Sequence, residues 1–323
     1  MATACLVAMS TGCARRPDEP AREKITIGVP RDPLAALLIL AVDQGYFAQQ
    51  GLDVTIVDTY PSGARAMEGM FQGEVEMTVA ADVPIVLCSF DRKDFAVLAT
   101  LGSSANAPRI VARKSAGIRR PEDLRGKRIA TQKASAVHYF LHLFLMRHGI
   151  PEVDVRLSFA RAEDLPQTLA SGRIDAFAMR EPYVGEAKRL LGDGCVVFAD
   201  PGLYLESFNL VALRSVIQGR VQTVDKVLRA LVQAERLARD DSGQAIRIVS
   251  RRLRIGEEDL AQWWSDSYLR IGLGEELLLN LEDVARWGLR AKLAGNGGPP
   301  NYLDLVDWES LQRVKPNAVT VVH

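Results

Sequence analysis

"QGEVEMTVAADVP", residues 72–84, and "SGRIDAFAMREPY", residues 171–183, align without a gap and run through the same events. In each, a glycine (Gly73, Gly172) stands where a helix ends in the left-handed conformation that side chains disfavour. A β-branched residue and a carboxylate follow, Val75-Glu76 in one and Ile174-Asp175 in the other, and then a short apolar strand. An acid opens the next helix (Asp82, Glu181), and a proline (Pro84, Pro182) falls in its first turn, where a missing N–H is no loss. One helix–strand–helix step written twice predicts two units of the same kind.

Reading outward supports this. "KITIGV" (24–29) and "LDVTIV" (52–57) are β-rich, and "LAALLILAVDQGYF" (34–47) between them is helical and breaks at a glycine. "FAVLATL" (95–101) follows, and the chain crosses through "GSSANAP" (102–108) and "RIVAR" (109–113). The pattern restarts at "PEDLRGKRIAT" (121–131) and continues through "VDVRLSF" (153–159) and "CVVFAD" (195–200). "FNLVALRS" (208–215) reads as a return crossing, and the remainder is mostly helical. Alternating strands and helices argue for α/β units with mainly parallel sheets flanked by helices. Two crossings imply a discontinuous first lobe, 24–104 plus 209–323, around a second lobe at 105–208.

The 323-residue chain carries 40 basic and 40 acidic side chains, so no net field draws it to nucleic acid or an anionic membrane. Its longest apolar run, Leu34 to Val42, is about half of what spans a bilayer. Residues 1–23 read as a processing segment and tether: "MATACLVAMSTGC" is apolar and small, and charge and proline follow abruptly. It is similar to a bacterial lipoprotein signal in which Cys13 becomes the lipid-bearing N-terminus, which predicts export, either periplasmic or membrane-anchored. Cys88 and Cys195 match no disulfide or zinc spacing and are expected to be free, buried thiols.

Together "AVDQGYFAQQGLDV", "YPSG", "MFQGEVEMTVAADVP", "PEDLRGKRIAT" and "SGRIDAFAMREPY", in this order from Lys24 to Asp200, resemble the nitrate, sulfonate and taurine branch of the substrate-binding proteins that serve bacterial ABC importers. The resemblance implies a two-lobed periplasmic-binding-protein fold that closes by hinge motion over a small anionic or zwitterionic solute. It further implies delivery to a membrane permease with its ATPase, and neither a catalytic residue nor a cofactor. A monomer is expected. The same superfamily suggests two alternatives, an aminopyrimidine binder and a thiamine-pyrimidine-synthase-like enzyme. The second would call for a reactive lysine or cofactor site.

In open α/β sheets ligands bind beyond the carboxyl ends of strands, where helix N-termini offer free N–H groups to an anion. That directs attention to the loops holding Arg31 and Asp32, Ser62 and Gly63, Ala81 and Asp82, Lys133, Ser135 and His138, and Arg180 and Glu181. Ser135 is the natural N-cap of the helix "AVHYFLHLFLMR", and His138 falls in its first turn. Arg31 and Arg180 are candidate partners for an anionic head, although each adjoins an acid that could pair with it instead. Asp82 reads as a helix-capping acid or, if it faces the cleft, as a partner for an amine. His138 and His142 share a helix face, but no third ligand completes a metal site in the H-E-x-x-H manner. His142 and His148 read as structural.

Overall fold

The computed structural model describes residues 22–295 and 297–322. Cys13 and the rest of the signal-like segment lie outside the described residues. The chain begins with β1 (Glu23–Gly28), α1 (Ala36–Asp43), α2 (Tyr46–Gln49), β2 (Leu52–Val57), α3 (Gly63–Phe71), β3 (Met77–Ala81), α4 (Asp82–Ser89) and β4 (Phe95–Ser104). It crosses to β5 (Arg109–Arg113), β6 (Arg128–Thr131), α5 (Ala136–Arg147), β7 (Arg156–Phe159), α6 (Leu165–Ala170), β8 (Ala176–Met179), α7 (Tyr183–Leu191) and β9 (Cys195–Phe198). It returns as β10 (Glu206–Leu213), followed by α8 (Arg214–Gly219), α9 (Val221–Asp240), α10 (Ser242–Leu253), α11 (Glu257–Ser265), β11 (Ser267–Tyr268), α12 (Glu275–Arg290) and α13 (Trp308–Val314).

The strands form two sheets, ordered β11-β4-β10-β3-β1-β2 and β7-β6-β8-β5-β9. Each sheet is mixed, which corrects the expectation of mainly parallel sheets. β1, β2 and β3 are parallel, as are β6, β7 and β8. β10 runs antiparallel to β3 and β4, and β5 antiparallel to β8 and β9. The cause is the crossings. A strand delivered by a βα unit ends at the cleft, whereas one arriving from the other lobe starts there and runs away from it.

The two quoted stretches fold alike. Gly73 and Gly172 both take φ +78° and end their helices. Pro84 lies in the first turn of α4, whereas Pro182 follows a cis peptide and caps α7 instead of entering it. Gly45, at φ +66°, breaks the apolar helical run after α1.

One core joins β1, β3, β4 and β10 to α1, α9, α12 and the α5 side of the second sheet, and a smaller cluster covers that sheet's other face around Leu165, Leu169 and Phe177. α9 shows why the C-terminal third is helical: Val224, Val227, Leu228, Leu231 and Ala234 form a buried stripe at helical spacing. Trp263 and Trp287 are buried, while Trp264 and Trp308 are half-buried. Cys88 and Cys195 are free thiols, half-buried instead of the buried state expected. Among the described residues no helix is long and apolar enough to cross a membrane.

Candidate binding cleft

The loops beyond β1, β2, β3, β6 and β8 meet between the two sheets and enclose two adjoining cavities. The first, about 20 Å³, is lined by Ser62 and Gly63, Ala81, Lys133 to Ala136, Arg180 and Phe208, among others. The second, about 40 Å³, is lined by Arg31, Asp32, Tyr60, Ser62, Gly63, Arg180, Glu181 and Tyr183, among others. Such volumes hold a few waters. Nine of the eleven expected residues therefore come together.

Three helix N-termini point into the first cavity, those of α3, α4 and α5. Ser62 caps α3 by accepting from the Arg65 N–H at 3.2 Å. Ser135 caps α5 by accepting from the His138 N–H at 3.4 Å, and its hydroxyl donates to the Gln132 carbonyl at 2.5 Å. Between Lys133 and Ser135, Ala134 takes φ 54°, a left-handed conformation unusual for a residue with a side chain. Lys133 Nζ stands 5.7 Å from the centre of the Phe159 ring. The opening N–H groups of α3 and α5, with Lys133 beside them, make this an anion-binding geometry, whereas at α4 the Asp82 carboxylate already accepts from the Val83 N–H and Pro84 has none to offer.

Arg180 spans the lobes. Its Nε donates to Asp32, and its Nη1 lies 2.8 Å from Glu206 Oε1, within ion-pair range but out of line for a hydrogen bond. Burial disfavours its charge, but Asp32 and Glu206 more than offset this and raise its pKa. Burial pushes the Glu206 carboxyl up, against the pull of Arg180. Neither sequence-adjacent ion pair appears: Arg31 donates to the Leu253 carbonyl, and Glu181 accepts from the Gly185 N–H at 2.9 Å. Burial raises the pKa of Glu181.

Two expected residues lie elsewhere. Asp82 has no exposed surface, and its carboxylate accepts from Tyr204, Asn280 and the Val83 and Ser207 N–H groups. Burial pushes its pKa up to about 6. It is a buried knot between α4, α12 and the returning chain, not a cleft residue. His138, 4% exposed, packs edge-on against Phe159 and Trp287 at 5.0 and 5.1 Å. Its ring fills the gap between α5 and α12 instead of facing a ligand. Glu152 lies 3.9 Å from His138 Nε2 and 3.2 Å from His142 Nδ1, and these two histidines hold its carboxyl down at about 2. Among the described residues no group of three or more such side chains could hold a metal ion.

Glu206 and Phe208 escaped the sequence reading. Both stand at the start of β10, two apart and so on one face, and Phe208 lines the first cavity beneath the Arg180 guanidinium, 5.9 Å from its ring centre. The available signal was a lone acid opening the apolar run "ESFNLVAL".

The chain belongs to the family described as NMT1/THI5 like, which residues 32–245 match. It is 22% identical over 209 residues to a protein of Escherichia coli (strain K12) whose name assigns it to the binding of aliphatic sulfonates, a match covering 63% of this chain and 64% of that one. The chain spans about three fifths of the length of the curated relatives it matches. Its fold is that of the alkanesulfonate-binding protein of Xanthomonas axonopodis pv. citri solved with MOPS, with TM-score 0.74, 21% identity and coverage of 91% of this chain and 99% of that one. The desulfurization enzyme DszB has the same fold at TM-score 0.65 and 17% identity, covering 90% of this chain and 99% of that one.

Proposed function

We propose that this protein is the extracytoplasmic solute-binding component of an ABC importer and captures a small sulfonate-like anion by closing two lobes over it. The observation that carries this reading is the meeting of the α3 and α5 N-termini and Lys133 from both lobes around one cavity, with Arg180 reaching across. Family membership and the names of the relatives point the same way.

The lobes are 24–104 plus 209–323 and 105–208, with the second boundary drawn back to Glu206, where β10 joins the first sheet, and the hinges are the two crossings. Closure requires contacts made to both lobes at once, and the cradle has that character: Ser62 and Gly63 belong to one lobe, Lys133 and Ser135 to the other. Arg31, Asp32, Arg180 and Glu181 line the adjoining space. Asp32 and Glu206 flank Arg180 with carboxylates, so solutes that add an amine or aminopyrimidine to the acid group belong in the test panel. The solute is captured unchanged, and the protein works as an exported monomer, either periplasmic or held at the membrane through a lipidated Cys13, that hands its cargo to a permease and ATPase.

Native mass spectrometry of the purified protein, followed by calorimetry with ethanesulfonate, taurine, nitrate and aminopyrimidines, tests the reading. Saturable one-to-one binding without release of sulfite supports it. Absence of binding across the panel, or turnover of a bound sulfonate, overturns it.

A further inference from the structure

A cavity of about 350 Å³ opens on the first lobe, and none of its lining residues lines the cleft. Three adjacent strands build one wall. Tyr268 of β11 pairs with Ser103 of β4, and Ser103 with Ser207 of β10, so the three side chains point to one face of the sheet. Glu206 and Phe208, the neighbours of Ser207 along β10, point to the opposite face, where Arg180 lies. The other walls are α12, through Glu276, Leu277 and Asn280, and the segment that carries Arg270 and Leu273.

The polar groups around this cavity divide into two sets. The Thr100 hydroxyl donates to Asn209 Oδ1 at 2.7 Å, the Ser207 hydroxyl accepts from the Asn209 amide at 3.1 Å, and Asn280 donates to Asp82. The side chains of Ser103, Tyr268, Arg270, Glu276, Asn317 and Thr320, by contrast, have no hydrogen-bond or ion-pair partner among the described residues. Arg270 and Glu276 carry opposite charges on one cavity yet do not pair. The Glu276 carboxylate instead lies over Gly274, where an added Cβ would stand 2.1 Å from its Oε2. Leu205, Leu273 and Leu277 supply aliphatic surface alongside the two charges. The volume lies within the range of about 300–1,000 Å³ usual for small-molecule pockets. We infer that this cavity is a second ligand site and takes a small aliphatic α-amino acid, its carboxylate on Arg270, its ammonium on Glu276 and its side chain against the leucines. The site lies at the hinge. Ser103 and Leu205 stand where the chain leaves and re-enters the first lobe, and Asn106 of the first crossing donates to Asp266, just ahead of β11, at 2.7 Å. An occupant therefore touches both strands that flex when the lobes move. None of this depends on what the cleft captures.

Calorimetry on the intact protein with L-leucine tests this site, beside N-acetylleucine, which lacks the ammonium, and isoamylamine, which lacks the carboxylate. Leucine should bind one-to-one, and each analogue at least about tenfold more weakly. Arg270→Gln and Glu276→Gln should each weaken leucine by a similar factor. Both side chains are exposed, so neither substitution threatens folding, and circular dichroism melts check this. If a variant melts early, the analogue series on the wild type decides. Saturating ethanesulfonate should leave leucine bound. Absence of leucine binding, analogues that bind as well as leucine, affinity unchanged in a folded variant, or displacement by ethanesulfonate overturns the second site and leaves the capture reading standing. Failure of ethanesulfonate itself to bind counts against the capture reading alone.

Discussion

Arg180 shows how one side chain can hold two lobes. Its guanidinium, 12% exposed, faces the buried carboxylates of Asp32 and Glu206 on the opposite side of the cleft. Removing the cation strands both acids away from water, so Arg180→Met should lower unfolding stability by about 3 kcal/mol in urea titration. Arg180→Lys should lose much of the same stabilisation, because a point charge cannot serve both carboxylates as a planar fork does. Asp82 supplies a second prediction. Its carboxyl sits near 3.8 in the ordinary state and is pushed up to about 6 by burial. Between those values the folded protein keeps a proton that the unfolded chain has released. This group's contribution to stability therefore falls as pH rises through that window, by up to about 3 kcal/mol. Unfolding curves at several pH values, compared with Asp82→Asn, should show wild type losing ground to the variant from pH 4 to 6. The sequence showed the acid types at these positions but not their partners: Asp32 and Arg180 lie 148 positions apart, and which acid meets which arginine is decided by docking of the lobes. Residue spacing favoured the adjacent pairs, and tertiary geometry overrode it.

At the scale of elements, α5 and its approach loop carry the argument. Ser135 as N-cap was legible from a small hydroxyl residue just ahead of an apolar helical run. The left-handed Ala134 beside it was not, since nothing in an alanine signals positive φ. Ala134→Gly should relieve that strain and raise the thermal midpoint, with a gain near 1 kcal/mol. Ser135→Ala should cost about 1 kcal/mol through loss of the cap, and in calorimetry should also weaken anion binding, because the hydroxyl stands at the cavity. The strand directions were only half legible. Local patterns show that a segment is β-rich, whereas its direction depends on the side from which the chain enters the sheet. Glu206 and Phe208 were missed for a related reason: "ESFNLVAL" reads as one more buried strand until the neighbours of its first residues are known.

For the whole molecule, the contact between lobes behind the cleft is aromatic. Trp287 of α12 lies 5.1 Å from the rings of both His138 and Tyr139 on α5, and Tyr139 lies 5.1 Å from Tyr204 on the returning chain. Movement of one lobe against the other must alter the surroundings of this indole. A saturable change in tryptophan emission should accompany ligand binding, and Trp287→Phe should abolish most of it while Trp308→Phe does not. A signal that survives Trp287→Phe would show that the lobes do not part here.

The place of β10 in its sheet also bears on synthesis. It lies between β3 and β4, although the chain from 105 to 205 separates it from both in sequence. A ribosome that has released the first two hundred residues has delivered every strand of the second sheet but has left the first without its central member. The later-encoded lobe is thus free to fold while the earlier one waits, with β3 and β4 presenting unsatisfied edges. During translation that half-built sheet, more than any part of the finished protein, is where a chaperone would be needed.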